Sequence, residues 1–460
     1  MICLKLLIAL IIPFLLGLLG ISAILRERLS FFAYFERLAI AFALGVWMLV
    51  LIMFSLPFLG IALTFQNIAL AAALILILLA TFSLRSLPYF LPERLPGVRS
   101  SWFYLLLFVI AIKILFVFWS ALIEPVIGPD LMTYYALAAK HTFIFARPLH
   151  LYGEPPLPFL IQAWTPINLG TWNDSFLPFF FPFLYLGLLL VFFCTLKRHA
   201  GELYSLFFTF LLASAPFLLH HAGTAYADFP MAFYYSIATI YLFQFFREFK
   251  FSRDKALAYL LASLIFLGIS IWVKKSGIYY AGINFSVLAA FLISQRENVR
   301  KIEWESIGRM VLLFAIIALP WLVYSRLLIL LGSLGEAIPS LKGAVASPVL
   351  WVRDMSWLVV FAMFRNMFME GNWQLLWMLF ISLLVLYPRK AFRSPNSYLL
   401  AIIILQLAAL FVLFRFTEQF PYIMDDTLLN RLTLHFVPVV LYFCAELFAT
   451  PPPTPEAQGN

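Results

Sequence analysis

The sequence predicts an all-α, polytopic integral membrane protein with about thirteen transmembrane helices. Of its 460 residues, 64% are hydrophobic and only 12% are charged. Apolar runs of about 20 residues, the length that crosses a bilayer as a helix, recur along the whole chain. Backbone groups in lipid must be hydrogen-bonded internally, and ten-residue alternating patterns are absent, so these runs predict helices.

The apolar runs also give the order of the predicted spans. They cover residues 2–25, 37–60, 65–84, 102–122, 176–196, 203–220, 230–247, 256–273, 277–294, 309–332, 373–388, 397–415 and 432–449. A further apolar segment, residues 355–369, contains Arg365 and follows Arg353 and Asp354. It either crosses the bilayer or lies flat at the interface.

The positions of the basic residues orient the chain. They gather in alternate loops, which the positive-inside rule assigns to the cytoplasm. These residues are Arg26, Arg28, Arg37, Arg85, Arg94, Arg99, Lys197, Arg198, Arg247, Lys250, Arg253, Lys255, Arg296, Arg300, Lys301, Arg309, Arg389, Lys390 and Arg393. The alternation holds only if residues 355–369 do not cross, so we predict an interfacial or re-entrant helix there. The same loops explain the net charge of +9 without a nucleic-acid partner.

This orientation divides the chain and gathers its loops. Four irregular segments fall on the extracytoplasmic face: residues 123–175, 221–229, 333–372 and 416–431. The predicted units are a three-helix membrane module (1–85), a proline-rich cytoplasmic linker (86–101), a membrane core (102–449) and a disordered tail (450–460). We interpret the first apolar run as a retained span and Cys3, Cys194 and Cys444 as small core residues.

Two aspartates stand where loops of this face meet helices. Asp130 follows Pro129 and precedes an amphipathic stretch, residues 132–145, that suits a helix on the membrane surface. Asp228 precedes Pro230, which opens a span. Two carboxylates on one face can bind a divalent metal together or divide the roles of base and ligand. The alternative is that each aspartate only caps a helix.

Some basic residues lie on the extracytoplasmic face and are exceptions to the positive-inside rule. Lys274 and Lys275 occupy a short turn with no adjacent acid, and Arg431 opens the last span. An anionic phosphate at the membrane surface is a natural partner for them. Snorkelling of the lysines towards lipid headgroups is the alternative.

Taken together, these motifs resemble the GT-C superfamily of polytopic glycosyltransferases. The resemblance covers roughly residues 100–450, and within the superfamily it is to the group containing protein O-mannosyltransferases and lipid A aminoarabinose transferases. It is carried by Asp130 in a first large loop, by Glu154-Pro155-Pro156-Leu157 opening a second loop helix, by Tyr226-Ala227-Asp228-Phe229-Pro230, and by Lys274 with Gly277.

The resemblance implies a membrane enzyme of the cell envelope, and our hypothesis for its reaction is an inverting displacement. Such enzymes move a sugar from a polyprenyl-phosphate donor to an extracytoplasmic hydroxyl of a lipid, glycan or protein, here in a bacterial or archaeal plasma (inner) membrane. It implies that Asp130 is the catalytic base. The sequence departs from the family pattern in having Leu131 where many relatives have Glu, and Glu154 where many have Lys or His.

The remaining candidate residues receive their roles within this hypothesis. Cations would stabilise the departing phosphate, and carboxylates would position the acceptor or, at Asp228, a divalent metal. Aromatic side chains would contact the sugar or the lipid. The cations are Lys274, Lys275 and Arg431, the carboxylates are Asp228 and Glu154, and the aromatic residues are Tyr134, Tyr135, Trp164 and Tyr226.

Two other classes of function stay open at this stage. One is a transporter or lipid-linked sugar flippase, which discontinuous spans and charges near the bilayer midplane would favour. The other is a non-catalytic assembly protein, in which the aspartates are only caps. Most candidate charges instead gather at one face, and no phosphate-binding ATPase loop is present, which favours the enzyme.

Overall fold

The computed structural model describes residues 2–90, 99–124, 126–149, 153–296, 304–330, 356–417, 419–425 and 427–449. These residues form helices and turns with no strand, and the fold is that of an all-α, polytopic integral membrane protein, as predicted. Several predictions fall outside these ranges: those for the tail, for the linker over 91–98, for residues 333–355 with Arg353 and Asp354, and for Arg94, Arg300 and Lys301.

The helices follow one another along the chain with short connections. They are α1 (Ile2–Leu25), α2 (Tyr34–Ser55), α3 (Phe65–Ser83), α4 (Ser101–Ile123), α5 (Ala136–Phe145), α6 (Leu157–Leu169), α7 (Phe181–Lys197), α8 (Glu202–Ala213), α9 (Pro216–Gly223), α10 (Asp228–Glu248), α11 (Arg253–Ser270), α12 (Ser276–Ser294), α13 (Trp304–Leu330), α14 (Ser356–Phe364), α15 (Leu376–Leu386), α16 (Asn396–Phe416), α17 (Leu429–Leu434) and α18 (Val437–Phe448). Two further helices, Pro388–Ala391 and Pro421–Met424, have four residues each. Turns of 3₁₀-helix cover Arg26–Phe31, Leu56–Leu59, Leu84–Phe90, Asp174–Phe176 and Gly371–Trp373, and π-helical turns cover Leu131–Tyr135 and Arg365–Met369.

Each of the thirteen predicted spans corresponds to a helix or a helix pair. Among the described residues, nine helices are long and apolar enough to cross a membrane, and ten spans result if α8 and α9, bent by 68°, form one. Three predicted spans lie outside this count. One is α11, and the other two are shorter than expected, because Pro388 begins a new helix after α15 and Pro438 lies in the first turn of α18. In the described residues, the segment that follows Ser356 is an apolar helix, Ser356–Met369, and its location at the interface stays a prediction.

Helix α10 runs through the centre of the bundle. Every residue from Asp228 to Phe246 is buried, and α10 packs against α7, α11, α12, α16 and α18. Helix α2 also lies inside, where the Tyr234 hydroxyl donates to the carbonyl of Ala43 at 2.8 Å. Helices α1 and α2 approach so closely that a Cβ atom on Gly17 would lie 1.7 Å from the carbonyl oxygen of Ala41. Glycine is therefore required at this helix crossing, because even alanine would clash with the backbone of α2.

Charged side chains from the predicted cytoplasmic loops meet at one end of the bundle. Arg198 pairs with Glu36, Arg99 with Glu202 at 2.7 Å, and Arg247 with Glu446 at 2.7 Å. These three ion pairs place the basic loops that carry them at a common end of the fold. Arg247 and Asp228 lie at opposite ends of α10, about 30 Å apart at 1.5 Å per residue. The other loops therefore converge at the far end, where the predicted site residues lie.

Candidate active site

A buried carboxylate, Asp228, lies at the centre of the end of the bundle that is opposite Arg247. It begins α10 and is fully buried. Lys274 Nζ donates to its Oδ1 at 2.5 Å, Arg431 Nε donates to its Oδ2 at 2.9 Å, and His435 Nε2 lies 3.1 Å from Oδ1. A buried charge is tolerated only with such partners, and the positive end of the α10 dipole adds to them.

The second aspartate, Asp130, is joined to the first by one arginine. Arg431 Nη1 donates to Asp130 Oδ2, so the guanidinium bridges the two carboxylates. Both carboxylates raise the pKa of Arg431 against the lowering effect of burial, so this side chain stays cationic. The side chain of Asp130 is 48% exposed, whereas that of Asp228 is fully buried. Asp130 is therefore the carboxylate that an incoming molecule can reach.

The capping alternative does not describe the contacts of these aspartates. Asp130 precedes the π-helical turn Leu131–Tyr135, but its side chain makes no capping hydrogen bond. The carboxylate oxygens of Asp228 accept from side chains of α17, of the turn before α12, and of the segment before α18. A π-helical turn is rare and is found frequently at functional sites.

The two lysines have no acid adjacent in the sequence, but the fold provides an acidic partner for each. Lys274 binds Asp228, and Lys275 Nζ lies 3.2 Å from Glu154 Oε1. The acids come from other loops, which sequence adjacency cannot show. With Asp130 and Arg431, three carboxylates and three cations gather here, so their formal charges cancel.

Helix α6 fixes the loops that carry these charges. The backbone N–H of Leu157 donates to the carbonyl of Trp272 at 3.0 Å, which ties the start of α6 to the turn that bears Lys274. Five residues later, Gln162 Nε2 donates to the carbonyl of Ala225 at 2.7 Å. The Pro-Pro-Leu segment thus begins a helix, as predicted, and that helix holds two loops of the site together.

Three of the four predicted aromatic residues lie at the cluster. The Arg431 guanidinium lies 5.1 Å from the ring centre of Tyr226, a cation–π contact. Tyr134 packs edge-on against Tyr135 at 4.8 Å. Burial, with the carboxylates of Glu154 and Asp228, raises the pKa of Tyr135 well above its ordinary value. Tyr135 is therefore a neutral phenol beside the acids.

The prediction for the fourth aromatic residue is wrong, because Trp164 does not lie at the cluster. Its indole is fully buried, its Nε1 donates to the carbonyl of Ala9 at 3.0 Å, and its ring stacks on Phe65 at 5.9 Å. Trp164 faces α1 rather than the acids, because it lies on the side of α6 that packs against the first helices. Its role is in the packing of the core.

Residues that the sequence did not single out complete the cluster. His435 touches Asp228, and Tyr280 Oη lies 3.2 Å from His435 Nδ1. Beside Arg431, the amide of Asn430 donates to Glu370 Oε2 at 3.1 Å. His435 and Tyr280 are single polar groups within apolar runs, so no pattern in the sequence distinguishes them.

The donors around Asp228 do not fit a metal ion. Within the described part of the chain, no group of three or more His, Cys, Asp and Glu side chains is placed to hold one. Both oxygens of Asp228 already accept from cationic or imidazole donors. A divalent cation prefers several oxygen ligands, and these neighbours would repel it.

Exposed apolar side chains flank the acids. Ile127 and Met132 lie on either side of Asp130 in the sequence and are 71% and 62% exposed. Tyr279, near the start of α12, is 63% exposed. Apolar surface of this kind at a membrane face suits contact with lipid.

Comparison with known proteins identifies the fold. No family model matches the sequence, and no curated protein matches it. The crystal structure of ArnT from Cupriavidus metallidurans bound to undecaprenyl phosphate matches with a TM-score of 0.51 and 16% identity, over 76% of this chain and 60% of that one. Its apo structure matches with a TM-score of 0.47 and 15% identity over the same shares. This chain thus spans less than two thirds of ArnT, and at this identity the likeness shows the fold, which agrees with the resemblance to GT-C enzymes.

Proposed function

We propose that this protein is an inverting glycosyltransferase that moves a sugar from a polyprenyl-phosphate donor to an extracytoplasmic acceptor hydroxyl. One observation carries the proposal: a single guanidinium joins an accessible carboxylate, Asp130, to a buried one, Asp228. That pairing sets a base beside a fixed cation at one end of a membrane bundle. The fold likeness to ArnT, whose structure contains undecaprenyl phosphate, supports the choice of a lipid phosphate.

In this proposal, donor binding begins when the phosphate of the donor competes with Asp130 for Arg431. A phosphate diester matches the fork of a guanidinium, and Arg431 is cationic at all physiological pH values. As the phosphate takes up N–H groups of Arg431, Asp130 loses that hydrogen-bond donor and can accept a hydrogen bond from the acceptor hydroxyl instead. Lys275, whose side chain is 34% exposed, supplies a second cation at the rim. The isoprenoid chain lies along exposed apolar residues such as Tyr279.

The chemical step is a single displacement. The acceptor oxygen attacks the anomeric carbon and forms the new C–O bond, while the bond from that carbon to the phosphate oxygen breaks. The proton of the acceptor hydroxyl passes to Asp130 as general base. Attack opposite the leaving group inverts the anomeric configuration.

The arrangement of charges favours this step. Asp130 loses its negative charge as it takes the proton, and the departing phosphate gains one. Arg431 contacts Asp130 in the free protein and would contact the phosphate in the complex. The negative charge therefore moves from one side of a fixed cation to the other, and little reorganisation is needed.

Asp228 acts in this scheme as a positioning residue. It is too deeply buried to meet substrate, but it holds Arg431 through Nε and Lys274 through Nζ. His435 is fixed in turn by Tyr280. These contacts keep the cations in place before the donor arrives, which is the condition for preorganised stabilisation.

Transfer and transport are separated by one experiment. The protein is reconstituted in proteoliposomes that contain a polyprenyl-phosphate donor with a radiolabelled sugar, together with cell-envelope extract as acceptor. Label in a new glycosidic product, absent without the protein, supports the glycosyltransferase. Label that changes leaflet with no glycosidic product supports the flippase instead. Mass spectrometry of cell-envelope glycans with and without the protein then identifies the sugar and whether the acceptor is a lipid, a glycan or a protein.

A further inference from the structure

A basic cavity lies at the opposite end of the bundle from the candidate active site. It has a volume of about 560 Å³ and is formed where the end of α10, the start of α16 and the end of α18 meet. Its charged lining residues are Arg247, Lys250, Lys390, Arg393 and Glu446. Burial and the neighbouring Arg247 lower the pKa of the remaining titratable residue, His199, to about 3, so it is neutral. Four cations thus face one carboxylate.

Two cations of this cavity differ from three arginines at the same end of the molecule. Arg28, Arg99 and Arg198 each pair with a carboxylate. Lys250 and Arg393 line the cavity, and among the described residues neither has a carboxylate within salt-bridge distance. The positive-inside rule explains why basic residues lie at this end but not why two unpaired ones border a cavity.

The two half-buried cations, Arg247 and Lys390, leave positive charge in the cavity unbalanced. Arg247 pairs with Glu446 at 2.7 Å, which uses the one acid present. Lys390 Nζ donates to the carbonyl of Leu447 at 2.9 Å and also to that of Ala449. Burial lowers the pKa of Lys390, the carboxylate of Glu446 opposes this effect, and the charge of Arg247 adds to it. An anion bound here would relieve that imbalance.

The uncharged lining indicates what kind of anion fits. Phe246 and Phe291 form a buried aromatic wall, and Phe251 at the rim is 84% exposed. The N-terminal residue of α16, Asn396, also borders the cavity, and the positive end of that helix dipole adds to the cations. Basic side chains below an exposed aromatic rim suit a headgroup whose acyl chains continue into the bilayer.

We propose that this cavity binds the phosphate headgroup of an anionic phospholipid in the leaflet opposite the candidate active site. The phosphate lies between Lys250 and Arg393, with Arg247 and Lys390 behind it. Basic pockets between transmembrane helices are a recognised mode of binding anionic headgroups. The inference does not depend on the proposed glycosyltransferase activity.

The test measures binding of short-chain lipids to the full-length protein in a neutral detergent. Dioctanoyl phosphatidylglycerol is the anionic probe, dioctanoyl phosphatidylcholine has the same tails without net charge, and glycerol phosphate has the anion without tails. Thermal shift and native mass spectrometry follow each titration. We expect phosphatidylglycerol to bind and raise the melting temperature, and the other two probes to bind at least tenfold more weakly.

A charge-matched pair of variants locates the site. Lys250→Gln with Arg393→Gln removes the two unpaired cations and should weaken phosphatidylglycerol binding about 30-fold, from roughly fivefold per basic residue near a lipid surface. Arg296→Gln with Arg389→Gln removes two exposed basic residues of the same end that do not line the cavity, and should leave binding within about twofold. All four side chains are at the surface or rim, so both variants should fold, which size-exclusion chromatography checks.

Three outcomes would overturn the proposal. The first is an equal loss of phosphatidylglycerol binding in both double variants. The second is equal binding of phosphatidylglycerol and phosphatidylcholine by the unaltered protein. The third is binding of glycerol phosphate that is as tight as binding of phosphatidylglycerol. The last would leave an anion site but assign it to a soluble phosphate.

Discussion

Replacing the buried carboxylate with its neutral isostere, Asp228→Asn, should destabilise the protein strongly. The amide keeps the shape of the side chain and can still accept one hydrogen bond. It no longer balances Lys274 and Arg431, which contact the carboxylate at 2.5 and 2.9 Å. Removing one partner of a buried ion pair leaves an uncompensated charge, which costs about 3–5 kcal/mol.

The structure supports the upper part of that range. Two cations depend on Asp228, and Lys274 has a side chain only 13% exposed, so water cannot replace the lost interaction. A second substitution checks this reasoning. Lys274→Met in the Asp228→Asn background removes one stranded cation, so the double variant should be more stable than the sum of the two single losses predicts.

The assay is reversible unfolding in mixed micelles, followed by tryptophan fluorescence, with the same detergent and protein concentration for all variants. Asp254→Asn is the matched control, since Asp254 is 78% exposed and lies 3.9 Å from Arg28 at the opposite end. An exposed pair of this kind contributes about 0–1 kcal/mol. Equal, small decreases in the free energy of unfolding of Asp228→Asn and Asp254→Asn would refute the view that the buried carboxylate organises the cluster.

Other predictions concern transfer activity. Arg431→Lys keeps the charge but loses the fork that reaches two carboxylates, so kcat should fall about 100-fold with the fold intact by circular dichroism; near-normal kcat would mean that charge alone suffices. Glu154→Gln removes the carboxylate that pairs with the rim lysine Lys275, so KM for the lipid donor should fall with little change in kcat, and a raised KM would count against a phosphate near that lysine. Gly128→Ala places a Cβ atom 2.2 Å from the hydroxyl of Tyr226 at a φ of 138°, so activity should drop about tenfold while Gly201→Ala, in open space, is silent. Transfer should persist in excess EDTA, since the acids lack the geometry of a metal site, and loss restored by Mg²⁺ would contradict this.

The sequence predicted the helices well because a bilayer imposes a strong rule. Runs of apolar residues have one stable form in lipid, and the charges between them orient the chain. Predicted helix boundaries were wrong where a proline begins a new helix. Pro388 does so after α15, which ends the predicted span 373–388 early. For the segment after Ser356, the prediction that it does not cross rests on the charge alternation alone.

The site was less accessible to sequence reasoning. Asp130, Asp228 and Arg431 were placed on one face, but their direct contact through a single guanidinium is a three-dimensional fact. The acid that pairs with Lys274 lies 46 residues away in the chain, so the sequence around Lys274 does not show the pairing. The error at Trp164 has a similar cause, because a helix with polar and apolar residues all round does not reveal which side faces the site.

The most direct test of the central claim is sugar transfer by purified protein in proteoliposomes, with the wild type compared with Asp130→Asn. The variant should fold, bind the lipid donor as tightly as the wild type or more so, and form less than about one thousandth of the glycosidic product, since the base has lost its ability to take a proton. Inverted anomeric configuration in the wild-type product completes the expected result. Full transfer by Asp130→Asn would show that the accessible carboxylate beside Arg431 is not the base, and the proposed mechanism would be wrong.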